Sequence, residues 1–133
     1  SDKEFFNAHL ARLRAVYHGK CQAMCQALQD YMPRQCRWTI PQGGMFVWVT
    51  LPEQLSATRI CQRLRDEEQV MCLPGQVFYQ NRNDSHTLRL SFSLESKANI
   101  GIGIEALARV IGQELSATVL PRAEKMNSHR PYL

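Results

Sequence analysis

The first thirty residues carry the pattern that most constrains the fold. Apolar side chains recur there in steps of three and four, at Phe6, Leu10, Leu13, Tyr17, Cys21, Met24 and Leu28. This spacing keeps one helix face apolar and predicts a helix from about residue 3 to about residue 31, which Pro33 ends. Such a helix is far longer than the average of about 11–12 residues. We therefore expect its two ends to contact different bodies.

Two strand-like runs follow the helix, Arg37–Ile40 and Met45–Leu51, separated by Pro-Gln-Gly-Gly. Proline and glycine in so short a linker favour a hairpin. The second run is apolar on both faces, which predicts that both faces of this strand are covered. Because the predicted helices would fill one side, we expect a partner on the other.

A second helix is predicted to begin at Ser56, which is a favourable N-cap residue, and to reach about Gln69. Its inward side chains are apolar: Ala57, Ile60, Cys61 and Leu64. A short buried strand, Val70–Leu73, is expected next, and Pro74-Gly75 ends it.

The polar stretch Gln80–His86 predicts an exposed loop, and Thr87–Ser93 predicts a strand. A last helix begins near Ser96 and carries one apolar face, formed by Ile100, Ile104, Leu107 and Ile111. From Ser116 onward the sequence has two prolines and no periodicity, so we expect an irregular or disordered tail.

The predicted order is helix–strand–strand–helix–strand–strand–helix. Strands in pairs between helices predict an α+β fold, a two-layer sandwich in which helices pack on one face of a small, mostly antiparallel sheet. We divide the chain into a long helix at 1–32, a domain at 33–115 and a tail at 116–133.

Composition argues against several classes of protein. With 133 residues, 44% hydrophobic, and a net charge of +4, the chain is typical of one soluble domain, which we expect in the cytoplasm. The sequence lacks the kind of basic stripe that predicts nucleic-acid binding, and it has no apolar run long enough for a membrane span. The five cysteines lack zinc-site spacing, so free thiols in a reducing compartment are favoured and no metal is expected.

Only one side chain of the sequence is a candidate for a functional role. The four lysines lie in polar helical or terminal settings, and no nucleophile elbow or phosphate-binding loop is present. A self-contained enzyme is therefore not expected. Arg89, within the alternating strand TLRLSFS, lies opposite Leu88 and Leu90, and its planar guanidinium suits a carboxylate. The alternative is a surface arginine facing water, which alternation alone favours.

Three segments together resemble one protein family: Pro41–Trp48, Val70–Phe78 and Leu88–Ser93. In this order they resemble the C-terminal small domain of fold-type I, class I/II pyridoxal-phosphate-dependent aminotransferases. The resemblance is strongest to 2-aminoadipate-type enzymes and to regulators that fuse such a domain to a winged helix. His9–Tyr17 resembles the helix that leads from the large domain into the small one, so the match covers about residues 5–115.

The resemblance implies that Arg89 binds the substrate α-carboxylate. It also implies that Gly43 and Gly44 are a structural glycine pair. The family's Schiff-base lysine and its other cofactor-binding residues belong to the large domain, and no matching stretch occurs here. We therefore expect no catalytic, cofactor-binding or metal-binding residue in this segment, pyridoxal phosphate only in a full-length parent, and no activity from the segment alone.

The implied partners are the large domain of the same parent chain, amino acid and 2-oxo acid substrates, and a second copy in a homodimer. The implied function is amino group transfer. Two alternatives stay open: a ligand-sensing domain of a winged-helix regulator, for which nucleic acid would be a partner, and a stand-alone interaction module. One departure from the family is His86, which stands where an asparagine commonly precedes the arginine by three residues.

Overall fold

Three helices and four strands make up the described part of the chain. The computed structural model describes residues 1–40, 46–77, 85–92 and 95–128, and side chains as far as residue 118. The helices are α1 (Asp2–Tyr31), α2 (Ala57–Arg63) and α3 (Lys97–Ser128), and a π-helical turn, Leu64–Glu68, continues α2. The strands are β1 (Arg37–Thr39), β2 (Phe46–Thr50), β3 (Cys72–Pro74) and β4 (Thr87–Ser91), and a short 3-10 turn, Gly75–Val77, follows β3.

The strands form one sheet in the order β1-β2-β4-β3, and every pairing is antiparallel. β4 therefore has a neighbour on each side. Side chains alternate between the two faces, so Val47, Leu90 and Cys72 form a row on the buried face. This architecture confirms the predicted α+β sandwich with helices on one face of a small antiparallel sheet.

The core lies between that buried face and the helices. Its largest fully buried side chains come from all three helices, the π-helical turn and two strands: Met24, Leu28, Val47, Val49, Ile60, Leu64, Leu88, Leu90, Ile100, Ile104, Leu107 and Ile111. The apolar faces predicted for the second and last helices are thus confirmed. Burying each such side chain contributes about 1.5–3 kcal/mol.

α1 begins and ends where its sequence predicts. Ser1 caps it in a capping box with Glu4, and the helix stops at Tyr31, just before Pro33. Only its C-terminal part is buried, through Met24, Ala27 and Leu28. Four large apolar side chains of its first half are more than 50% exposed: Phe5, Phe6, Leu13 and Val16. We call these four the exposed stripe of α1.

Gly75 allows a close approach of β4. A Cβ at this position would overlap Oγ1 of Thr87 and lie 3.1 Å from its Cβ, so packing explains this glycine. At Gly19 a Cβ would meet only the end of the Lys97 side chain, at 2.6 Å from Cε, and that flexible side chain can move aside.

The second helical segment differs from its prediction in detail. Ser56 caps α2 as predicted, because its Oγ accepts a hydrogen bond of 3.3 Å from the Arg59 N–H. The α-helix ends at Arg63, and the π-helical turn carries the chain to Glu68. Gln69 then adopts a left-handed conformation with φ of 56°, which ends the helical segment at the predicted place.

The prediction of a buried strand at Val70–Leu73 is wrong in its bounds and burial. β3 begins only at Cys72, while Met71 is 68% and Leu73 39% exposed. The reason is that the core covers only one face of the sheet, and in β3 Cys72 is the residue on that face.

The three other strand predictions overlap the structure. β1, β2 and β4 fall within their predicted ranges, whereas Met45 and Ser93 lie outside the described residues. Most of the predicted loop Gln80–His86 also lies outside them, and only its last two residues are described.

The prediction of an irregular tail from Ser116 is wrong as far as Ser128, because α3 continues to that residue. Once a helix is nucleated, each added residue other than proline gains a hydrogen bond, so weak periodicity need not end it. The Thr118 hydroxyl also donates a 2.7 Å hydrogen bond to the Leu115 carbonyl oxygen. The division of the chain at 1–32, 33–115 and 116–133 stays a prediction.

No helix within the described residues has the length and apolar character to cross a bilayer.

One buried carboxylate joins α2 to α3. Glu114 is 8% exposed and accepts hydrogen bonds from Arg59 Nε at 2.8 Å and Arg63 Nη1 at 3.2 Å. Arg63 also donates to Gln113 at 2.6 Å. Because Glu114 and Arg63 are largely shielded from water, their attraction is screened less than that of a surface pair.

Replacing Glu114 with glutamine should lower the free energy of unfolding by about 2 kcal/mol, because two guanidinium groups lose their shared counter-charge. Chemical denaturation of the chain measures this change. Asp66→Asn is the matched control, since the Asp66 pair with Arg65 is more than 60% exposed on both sides and should change stability by less than about 0.5 kcal/mol. Equal losses in the two variants would contradict the role of Glu114.

Candidate functional site

Arg89 lies in the middle of β4, an interior strand of the sheet. Its neighbours Leu88 and Leu90 are completely buried, whereas Arg89 is half-buried on the opposite face. The predicted alternation of this strand is therefore confirmed. The arginine lies on the sheet face that the core does not use, which we call the open face.

The residues around Arg89 on the open face come from three strands. In the antiparallel register Arg89 stands directly opposite Trp48 of β2 and Leu73 of β3. Phe46 lies diagonally across from it, two residues before Trp48. Phe46, Trp48 and Arg89 are all half-buried.

Arg89 contacts an aromatic ring on the open face. Its guanidinium carbon lies 4.3 Å from the centroid of the Phe46 ring, well within the range of a cation–π interaction. Stacking uses the flat face of the guanidinium, whereas hydrogen bonds leave from its edge. The two interactions are compatible, so a stacked arginine can still bind a carboxylate. The sequence places Phe46 only on an apolar face, and its pairing with Arg89 emerges from the cross-strand register.

His86 ties the start of β4 to the loop before α2. Its Nδ1 lies 3.1 Å from the carbonyl oxygen of Leu55, and since a carbonyl can only accept, Nδ1 donates. The His86 carbonyl accepts a 2.7 Å hydrogen bond from the Leu51 N–H, and the Ser85 carbonyl accepts one of 2.8 Å from the Ala57 N–H. These contacts give His86 a structural role three residues before Arg89.

The glycines within the three segments that carry the resemblance divide into two groups. Gly43 and Gly44 lie outside the described residues. Gly75 is described, and the close approach of Thr87 accounts for it without any chemical role.

A cavity of about 260 Å³ lies where β4 ends, and its lining includes Ser91, two residues after Arg89. Two of its lining carboxylates already have partners: Glu68 accepts from Arg109 at 2.7 Å, and Glu95 accepts from Asn99 at 3.2 Å. Arg89 does not line this cavity. Within the described ranges, no three potential ligands are grouped so that they could hold a metal ion.

The cysteines of the core are poor nucleophiles. Burial raises the pKa of the Cys36 thiol to about 11. A hydrogen bond between the Cys61 and Cys72 thiols, together with burial, raises the pKa of Cys72. All five cysteines are free thiols, and Cys25 is the exposed one. Because the thiolate is the reactive form, neither Cys36 nor Cys72 suits nucleophilic chemistry near neutral pH.

The sequence model of the family described as "Aminotransferase class I and II" matches residues 1–107. The chain belongs to this family.

Individual relatives agree with the assignment. The chain is 42% identical over 109 residues to a 2-aminoadipate transaminase of Thermus thermophilus, covering 82% of this chain and 27% of the relative. A crystal structure of the alpha-aminoadipate aminotransferase LysN from Thermus thermophilus superposes with a TM-score of 0.78 at 41% identity, over 86% of this chain and 29% of that one. That structure holds N-(5'-phosphopyridoxyl)-L-leucine.

Transcription regulators are also among the relatives. The uncharacterized HTH-type transcriptional regulator YisV of Bacillus subtilis is 30% identical over 104 residues, which cover 78% of this chain and 21% of the regulator. The chain thus spans about a quarter of the length of the aminotransferase and about a fifth of the regulator.

Pyridoxal phosphate is the cofactor expected for this family, but the described residues do not form a site that fits it. Such a site needs a lysine in an enclosed pocket. Lys3 and Lys97 are exposed, Lys20 is half-buried along α1, and the Lys125 side chain lies outside the described part. We therefore assign no cofactor contact to these residues.

The thiols provide a test of the packing around the sheet. At pH 8 a maleimide should modify Cys25 first, because its side chain is exposed, and should modify Cys36 and Cys72 slowly. Mass spectrometry of timed samples measures each rate. In denaturant the differences should disappear. Equal rates for Cys25 and Cys36 in the folded chain would contradict the burial of Cys36.

The raised pKa of Cys36 also predicts a loss of stability in alkali. In the unfolded chain the thiol ionises near its ordinary pKa of 9.0, and in the folded chain its pKa is about 11. The stabilisation from the protonated thiol is therefore complete below pH 9 and is lost as the pH rises through 11. Cys36→Ala should remove about 1–2 kcal/mol of this alkaline loss, measured by denaturation at pH 8 and pH 11, whereas Cys25→Ala should retain it.

Proposed function

We propose that this chain is the C-terminal small domain of a pyridoxal-phosphate-dependent aminotransferase and that Arg89 binds the α-carboxylate of the substrate. The observation that carries the proposal is the placement of Arg89. It projects from an interior strand onto the open face of the sheet, half-buried beside Phe46 and Trp48. Family membership supports the reaction class.

The chemistry of the guanidinium suits this role. Its planar N–H groups can donate two parallel hydrogen bonds to one carboxylate, which sets the orientation of the substrate as well as its affinity. A charge-assisted hydrogen bond contributes about 1.5–3 kcal/mol. Correct orientation would bring the Cα–H bond and the amino group of the amino acid to the reacting position. In the whole protein, pyridoxal phosphate would supply the chemistry of amino group transfer to a 2-oxo acid.

Two surfaces of the chain suggest where the rest of the protein lies. The exposed stripe of α1 presents four large apolar side chains, a kind of surface that usually marks an interface. The open face presents Phe46 and Trp48 beside Arg89. We propose that the large domain of the same parent chain and a second copy in a homodimer cover these surfaces. By itself the segment should not turn over substrate.

The free thiols of the cysteines bear on the compartment in which the whole protein is found. All five cysteines are thiols, and two of them, Cys61 and Cys72, hydrogen-bond to each other without forming a disulfide. Thiols persist in reducing compartments. We therefore propose that the protein is cytoplasmic.

A second candidate function is supported by the similarity to the Bacillus regulator. In that case the same arginine would capture an amino acid, and ligand binding would change DNA binding in place of turnover. The full-length protein distinguishes the two candidates. A winged-helix segment before the large domain, together with ligand-dependent DNA binding, would favour the regulator, and transamination would favour the enzyme.

Arg89→Ala in the full-length protein should lower kcat/KM for amino acid substrates by about 10²- to 10³-fold, because the carboxylate loses its bidentate partner. Arg89→Lys should lower it less, since the charge stays but the fork is lost. Steady-state transamination with a panel of amino acids measures both changes, and cofactor absorbance verifies that each variant binds pyridoxal phosphate.

Arg65→Ala is the matched control for this experiment. Arg65 lies on the π-helical turn with a side chain that is 61% exposed and is not on the open face. Its replacement should leave kcat/KM within about twofold. Unchanged kinetics in Arg89→Ala would refute the assignment of the carboxylate-binding residue.

A further inference from the structure

The pairing of Phe46 with Arg89 has a specific geometric origin. Phe46 stands opposite Ser91 in the ladder between β2 and β4, and Arg89 is two residues from Ser91 on the same face. Such diagonal neighbours are close enough for an aromatic ring and a long side chain to meet. The guanidinium carbon lies 4.3 Å from the ring centroid, so the contact is made.

An arginine on a sheet surface loses side-chain conformational entropy when it binds a ligand. Its side chain has several rotatable bonds, and binding must restrict the rotamers that it samples in the free protein. A ring under the guanidinium restricts them in advance through attraction to the π face. Stacking does not use the N–H groups at the edge of a guanidinium, and these are the groups that donate to a carboxylate.

The core does not require the aromatic ring of Phe46. Its neighbour Val47 is completely buried on the other face of β2, whereas Phe46 is only half-buried on the open face. Trp48, directly opposite Arg89, adds a second aromatic residue to the same face. The ring of Phe46 is therefore better explained by its contact with Arg89 than by core packing.

We propose that Phe46 is a positioning residue, whose ring holds the Arg89 guanidinium in the orientation that receives the substrate α-carboxylate. This inference rests on the proposed function of Arg89 and extends it to a residue that touches the arginine from the adjacent strand. It assigns to Phe46 a role in substrate affinity and none in the bond-breaking steps.

The test uses the full-length protein. Phe46→Leu removes the π face but keeps an apolar side chain, and it should raise KM for amino acids and the inhibition constant of hexanoate by about 3- to 30-fold. The kcat should stay within about twofold. A primary amine that lacks the carboxylate should react at the wild-type rate. Phe46→Tyr, which keeps the π face, should restore KM to within about twofold.

A second series of variants tests the same role even if Phe46→Leu does not fold. Phenylalanine with one, three or five ring fluorines at position 46 keeps the ring size but progressively weakens the negative π face. KM for amino acids should rise with each step. The same series at Phe92, a buried residue next to Gly103, is the control and should leave KM unchanged.

The outcomes separate this inference from the proposed function. If Arg89→Ala leaves the kinetics unchanged, the proposed function fails and the positioning role fails with it. If Arg89→Ala lowers kcat/KM but KM does not respond to Phe46→Leu or to fluorination, only the positioning role is overturned. An equal effect on the amino acid and on the carboxylate-free amine would show a structural role and would also overturn it.

Discussion

The antiparallel register of β4 between β2 and β3 is the constraint on which the rest of the structure depends. Successive side chains of β4 alternate, so the same pairing that buries Leu88 and Leu90 projects Arg89 to the other face. A slip of one residue would bring the arginine into the core and the leucines to the surface. Because the two leucines are completely buried, the hydrophobic effect stabilises this one register. The position of the candidate ligand-binding group is therefore a consequence of core packing.

Local patterns predict the features that depend on local physics. The apolar steps from Phe6 to Leu28 predict a long helix, and alternation around Arg89 predicts its face, because side-chain direction follows directly from helix and strand periodicity. The prediction for Val70–Leu73 is wrong because a short apolar run does not reveal whether one or both faces of its strand are covered. The prediction for the tail is wrong because helix continuation depends on the preceding turns as well as on its own residues.

The features that the sequence could not supply involve residues distant along the chain. The stacking of Phe46 on Arg89 depends on the pairing of β2 with β4, which are not consecutive strands. The hydrogen bond from His86 to Leu55 likewise joins residues 31 positions apart. The role of Arg89 itself comes from the resemblance to a family and stays a prediction.

The division of α1 into a buried end and a projecting end has a mechanical consequence. Met24 is fixed in the core, while Phe5 lies nineteen positions earlier on the same helix. At a rise of about 1.5 Å per residue, that arm is about 28 Å long. A rotation of the core by about 10° would displace the far end by about 5 Å. A continuous helix thus converts a small angular change at one end into a displacement at the other, and α1 has the geometry of a lever.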